Sequence, residues 1–251
     1  MREREKLIAA LLAALCLILG GCAFFEPAWH FETETRRMAY EQSYASDGTL
    51  LALVDYELPR LMLEHDALAH SDEPPEEMAA VRDAFNAGME QFYAGLPELG
   101  ELRAMAVDDK AVSEATGFAL RGAYFCRLSP ESVYRTQRLL SVCARGEEYT
   151  GGAHVLPFAA VWNFDLGRGE FLVWGDLTDR PDDLSAKLAE EAGVADLEGA
   201  QVYFAGDGAH IVFSVYQIAP FSEGMPEFTV PYETLAPYWN ARGRELLQKE
   251  G

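Results

Sequence analysis

The longest uninterrupted apolar run in this 251-residue chain, Leu7 to Leu19, is 13 residues long. A membrane-spanning helix needs about 20 such residues, so the run is too short to cross a bilayer. It has the length of a signal-peptide h-region. Arg2, Arg4 and Lys6 supply the basic stretch before it, diluted by Glu3 and Glu5. Residues 1–21 are therefore expected to direct export and to be cleaved, leaving the folded domain to be built from the residues after Gly21.

Leu19-Gly20-Gly21-Cys22 comes directly after the run. An aliphatic residue, two small residues and a cysteine resemble the lipobox of bacterial lipoproteins. The resemblance implies that Cys22 carries the lipid, with residues 22–29 as a tether. Acyl chains on one cysteine hold a protein at a membrane because each buried methylene contributes about 0.8 kcal/mol. The expected location is the extracytoplasmic face of the bacterial cell membrane.

Loss of residues 1–21 removes Arg2, Arg4, Lys6, Glu3 and Glu5, which moves the formal charge from −21 to −22. An acidic chain of this kind is a poor ligand for nucleic acid or anionic lipid headgroups. It meets a basic partner faster than a neutral chain would. Cys126 and Cys143 remain beside Cys22, 17 residues apart. In an oxidising compartment they form a candidate disulfide, which would stabilise the fold by about 3 kcal/mol.

The patterning predicts an α+β fold, a mainly antiparallel sheet packed by a few helices, over residues 30–251. Strands are expected at Trp29–Tyr40, at Thr49–Leu58 (ended by Pro59), over 118–128, 133–135 and 139–144, and over 158–164 and 170–174 around a glycine-containing turn. Met78, Val81, Phe85, Met89 and Phe92 recur at steps of three and four and predict a helix. A second helix is expected over 98–114, with Leu99, Leu102, Met105 and Ala106 inward. A third is expected over 182–192, capped by Asp182 or Asp183. The clearest hairpin joins 201–205 to 210–216 through Gly206-Asp207-Gly208, and a helix over 234–248 closes the chain.

No G-x-S-x-G, H-E-x-x-H, P-loop or C-x-x-C motif is present. His65 and His70 are five apart and share no helical face, so no metal site and no cofactor are predicted. The most distinctive stretch is Tyr149-Thr150-Gly151-Gly152-Ala153-His154. Its glycines permit positive φ or close backbone approach, and His154 can bind a ligand or hydrogen-bond at a bend. Catalysis would require a carboxylate beside His154.

That block comes after Leu140-Ser141-Val142. It precedes Asn163-Phe164-Asp165-Leu166, Gly175-Asp176-Leu177, Tyr216-Gln217-Ile218-Ala219-Pro220-Phe221, Gly224, Val230-Pro231-Tyr232 and Leu235. Together these resemble the extracytoplasmic domain of RsiV-type anti-sigma factors, a domain of unknown function shared with bacterial surface proteins and some peptidoglycan deacetylases. The resemblance is strongest over 139–235. It implies extracytoplasmic binding, since in RsiV the domain binds lysozyme. The family often has glycine after the motif histidine, where Val155 stands here. Sigma-factor control does not carry over, because no transmembrane helix is expected after cleavage, and neither does deacetylation.

The reading is a non-enzymatic binding module for an envelope component such as peptidoglycan, or for a basic protein such as lysozyme. Its candidate ligand-binding residues are Tyr149, Gly151, Gly152, His154 and Tyr232, with Trp29 and Trp162 as further aromatic candidates. A glycan-acting envelope enzyme and a scaffold lipoprotein are the alternatives.

Overall fold

The computed structural model describes residues 29–65, 73–117 and 122–247. The expected signal segment and Cys22 lie outside them. The first strand, β1 (Trp29–Tyr44), opens at the last residue of the expected tether. It pairs with β2 (Leu50–His65) around the turn at Asp47-Gly48. Helices α1 (Glu76–Tyr93) and α2 (Leu99–Thr116) come next. The chain then returns as β3 (Tyr124–Arg135), β4 (Leu139–Tyr149), β5 (Leu156–Asp165) and β6 (Glu170–Leu172). These six strands form one sheet in sequence order. Within it, only β2 and β3 are parallel, because the helical pair returns the chain to the starting end of the sheet.

Helix α3 (Pro181–Ala192) leads to a second, antiparallel sheet of β7 (Gln201–Phe204), β8 (Ala209–Val212) and β9 (Glu227–Val230). Two short helices, α4 (Tyr232–Leu235) and α5 (Ala241–Leu247), end the described chain. No helix among the described residues is long and apolar enough to cross a membrane.

The helical periodicity does what its spacing requires. Phe85 and Met89 of α1 and Leu102 and Ala106 of α2 are buried against Tyr56, Leu58, Leu128, Val142 and Phe164 on one face of the large sheet. Met105, expected inward, is exposed, because α2 presents a narrower apolar stripe than its composition suggests. A second core joins Leu184 and Leu188 of α3 to Phe204, Ile211, Val230, Leu235 and Trp239.

The two sheets meet through a polar contact on the face turned away from α1 and α2. The Ser141 hydroxyl donates to Asn163 Oδ1 at 2.7 Å, and Asn163 Nδ2 donates to the Val202 carbonyl at 2.8 Å. The Phe204 N–H donates to Ser141 Oγ at 2.8 Å. Both side chains are buried, and they pair the backbone edge that β7 would otherwise leave unsatisfied.

Several expectations are corrected. β2 does not end at Pro59 but continues to His65, with Pro59 opposite Thr35. The Leu61 N–H, which shares the side of Pro59 in the strand alternation, turns to Asn86 Oδ1 of α1 at 2.9 Å, and Asn86 Nδ2 returns a bond to the Leu61 carbonyl at 3.0 Å. The parallel pairing with β3 stops at Tyr56, so the missing N–H of Pro59 faces an edge without a strand partner. Helix α3 starts at Pro181, with Arg180 rather than Asp182 or Asp183 at its cap position. The expected closing helix is broken into α4 and α5, because Pro237 cannot continue an α-helix. Asn240 starts α5 instead, its Oδ1 accepting from the Gly243 N–H at 2.8 Å.

The expected disulfide between Cys126 and Cys143 does not form; both thiols are free and buried. Cys126 lies opposite Glu148 and Cys143 opposite Ser132, several residues out of register. Cys126 joins the core beneath the helices, and Cys143 packs with Tyr203 and Val212 on the other face of the sheet. Burial pushes both thiols up, Cys143 to about 11, so both stay protonated at neutral pH.

Asn163→Ala deletes two buried hydrogen bonds and strands the Val202 carbonyl. It should destabilise the fold by about 2–3 kcal/mol. A lower urea midpoint at unchanged slope would record this.

Candidate functional site

The loop from Tyr149 to Leu156 joins β4 to β5, and its base is packed into the core. Tyr149 is buried, its ring 6.0 Å from Tyr124. The Tyr124 hydroxyl donates to Asp109 Oδ2 of α2. Burial, then this hydrogen bond, pushes the phenol up to about 12. Gly151 has φ +88°, and a Cβ there would collide with the Tyr124 hydroxyl. Glycine is therefore required at 151 by the scaffold. A Cβ at Gly152 would meet only the His154 carbonyl oxygen, at an ordinary contact distance of 3.9 Å.

His154 is exposed, and its ring stacks on Phe221 at 4.8 Å and 29°. Phe221 belongs to the loop between β8 and β9, and Tyr216 of that loop packs 5.4 Å from it. Tyr216 is 64% exposed, with φ +66°, the one non-glycine positive φ among the described residues. Such a backbone is costly for a ring-bearing residue. Val155, Leu156 and Ile218 on the same two loops are also exposed. The result is a ladder of three rings built from two separate sequence blocks, with His154 and Tyr216 exposed and Phe221 half-buried between them.

No carboxylate among the described residues lies within ion-pair reach of His154, so the acidic partner that catalysis needs is not in place. Tyr232 stands apart from the ladder. Its hydroxyl donates to the Ala205 carbonyl at 2.6 Å and its ring packs on the second core, where burial raises the phenol. Trp162 packs edge-on against Phe92 of α1 at 4.8 Å, and Trp29 against His65 at 4.7 Å. Of the predicted residues, only His154 presents a ring at the outward surface of this loop pair. Tyr216 and Phe221, its partners, stood in the sequence as motif members; the signal missed was their aromatic character in a loop with no core to fill.

A second histidine has the carboxylates that His154 lacks. His210 Nδ1 lies 2.8 Å from Glu227 Oε1, and Nε2 lies 2.8 Å from Asp207 Oδ1. Tyr203 donates to Glu227 at 2.6 Å and Arg145 pairs with its other oxygen. With both ring nitrogens engaged, His210 has none left for a substrate, and the cluster fastens β7, β8 and β9 to β4. Among the described residues no group of three or more His, Cys, Asp or Glu side chains converges to hold a metal.

Together these elements define a two-sheet α+β scaffold that presents an aromatic loop pair. Residues 175–233, which run from the turn after β6 through the second sheet to the start of α4, match the family model described as "Protein of unknown function (DUF3298)". The fold is similar to the crystal structure of a DUF3298 family member from Bacteroides fragilis. That similarity has a TM-score of 0.55 at 17% identity, over 86% of this chain and 95% of the other. A DUF3298 family protein from Pseudomonas aeruginosa aligns over the same shares at 16% identity, with a TM-score of 0.46. No curated protein matches the chain.

The acidic cluster sets a pH dependence. Burial pushes the Glu227 carboxyl up, but hydrogen bonds from Tyr203 and His210 and the Arg145 charge outweigh it, so it titrates below its ordinary value. The His210 hydrogen bond likewise lowers Asp207. A carboxyl depressed in the fold stabilises it above the unfolded value, about 4.5 for Glu, and loses that contribution as pH falls through the folded value. Stability should therefore drop on acidification below about pH 4.5. Glu227→Gln should be less stable at neutral pH and show a flatter acid limb in thermal melts across pH.

Proposed function

We propose that this protein is a lipid-anchored, extracytoplasmic binding module of the RsiV-like kind. Its contact surface is the ring ladder of His154, Phe221 and Tyr216, and its partner is a basic envelope-active protein such as lysozyme. The ladder carries this reading: His154 and Tyr216 are exposed on two loops, stacked on the half-buried Phe221 between them, one on a strained backbone and all three outside both cores. Rigid aromatic side chains give a large contact area at little entropic cost. The formal charge of −21 supports a cationic partner, and the resemblance to RsiV points to the same ligand. Peptidoglycan is the competing envelope ligand.

Pull-down and titration with lysozyme and with purified peptidoglycan test the proposal. Lysozyme should bind the intact chain with an affinity that weakens as salt rises. Phe221→Ala should weaken it at least tenfold, roughly 1.4 kcal/mol, without lowering the melting temperature. Failure to bind at low salt, or full binding by Phe221→Ala, rejects the ladder as the lysozyme surface.

The anchor is tested separately. Cys22→Ser should abolish acyl labelling and release the protein from membranes. Retention at the membrane by that variant rejects lipidation.

A further inference from the structure

The face of the large sheet turned away from α1 and α2 is covered by the second sheet at Ser141, Cys143 and Asn163. Elsewhere on that sheet a cleft of about 340 Å³ opens, with Arg37, Asp55, Glu57, Arg127, Arg145 and Glu147 among its lining. It shares no residue with the ring ladder. Three of the chain's 20 basic side chains gather here in a protein of formal charge −21.

The three arginines are not equivalent. Arg37 pairs with Asp55 at 3.5 Å and Glu57 at 2.9 Å. Arg145 pairs with Glu131 at 2.9 Å and with Glu227. Arg127 lies over the Phe125 ring at 4.7 Å and ion-pairs with no carboxylate among the described residues, although Asp55 and Glu147 are its register partners on β2 and β4. The cleft thus holds one exposed guanidinium free to take a carboxylate in bidentate fashion, beside fixed carboxylates able to accept from hydroxyls.

A bulge in β1 supplies the rest. Arg37 sits opposite Glu57 and Tyr40 opposite Asp55, so Met38 is the extra residue and Arg37 and Tyr40 share a face. The Arg37 guanidinium lies 5.3 Å from the Tyr40 ring. Gln42 Nε2 donates to the Tyr40 hydroxyl at 3.1 Å, and the Tyr44 hydroxyl donates to Gln42 Oε1 at 2.7 Å. Tyr40, 54% exposed, flanks the cleft beside Arg37, and Gln42 holds Tyr44, 53% exposed, in line with it further along β1, away from the cleft.

A flanking aromatic ring, hydroxyl acceptors and a single uncommitted arginine match one chemistry. We infer that this cleft binds an oligosaccharide in which one sugar carries a carboxylate. Apolar faces of the sugar rings stack on Tyr40 at the cleft and on Tyr44 further along β1, the hydroxyls donate to Asp55 and Glu57, and the sugar carboxylate meets Arg127. A polyanionic glycan is disfavoured, because the surrounding field is negative.

Calorimetric titration of the intact chain in detergent tests this with three probes. They are the disaccharide of N-acetylglucosamine and N-acetylmuramic acid, the same disaccharide with its carboxylate reduced to an alcohol, and sialyllactose. Binding of either carboxylated sugar, at least tenfold tighter than the reduced disaccharide, is expected, and the preference between the two separates a cell-wall source from a sialylated one. Arg127→Gln should abolish that tenfold preference, and Tyr40→Ala should weaken both carboxylated sugars several-fold. Phe221→Ala should leave sugar binding unchanged, which separates this site from the lysozyme surface. No binding of either carboxylated sugar at millimolar concentration, equal binding of the reduced sugar, or an unaltered preference in a folded Arg127→Gln variant overturns the inference.

Discussion

Asn163 joins the two halves of the molecule with one amide. Its oxygen accepts from Ser141 and its nitrogen donates to Val202, while Ser141 accepts from Phe204. The small sheet has strands of four residues each, too short to persist without a packed face. One face has α3 and the C-terminal segment, but the outer edge of β7 would still leave backbone groups in a dry interface. Each unmade bond there costs on the order of 1–3 kcal/mol. Two side chains from the large sheet make them, and Gln201 adds a bond to the Ala159 carbonyl at 2.9 Å. The clamp fixes where the small sheet sits, and with it the loop that carries Tyr216 and Phe221.

The same logic explains the C-terminus. Asp165 is buried and accepts from the Gly167 and Arg168 N–H groups and from Arg242 of α5, at 2.8 Å for the closest guanidinium nitrogen. A buried carboxylate without such partners would be costly. The pair therefore holds α5 against the β5–β6 turn, and Asn240 fixes the same helix through the Leu177 and Asp176 carbonyls.

Local patterning made α1, α2, the β5–β6 turn and the β7–β8 hairpin legible, although the second hairpin strand, expected over 210–216, ends at Val212 and leaves Tyr216 in the loop that follows. The failures were non-local. Pro59 reads as a strand terminator until Asn86, on a helix 25 residues beyond Leu61, is seen covering that edge. Cys126 and Cys143 read as partners because sequence spacing is silent about register and about which face of a strand a residue takes. The His210 cluster draws on β4, β7, β8, β9 and the β7–β8 turn, so no window of sequence contains it.

The motif blocks behave in a way that separates structure from function. Ser141, Asn163, Asp165, Asp176, Leu177, Tyr232 and Leu235 all have structural employment: a clamp, a buried ion pair, backbone bonds to Val173 and Ala205, or a place in the core. Gly151 is required by the space beside Tyr124. Among the rings of those blocks, His154, Tyr216 and Phe221 have no such assignment, and His154 and Tyr216 are each in ring contact with Phe221. Fold maintenance gives no reason for two exposed rings to stack on a half-buried third outside both cores, still less for one of them to sit at positive φ. A surface that costs stability and rises from a base packed into the core is what a contact site requires, since preorganised rings lose little entropy on binding. That is why the proposed contact surface is the loop pair, and not the histidine whose nitrogens are already engaged.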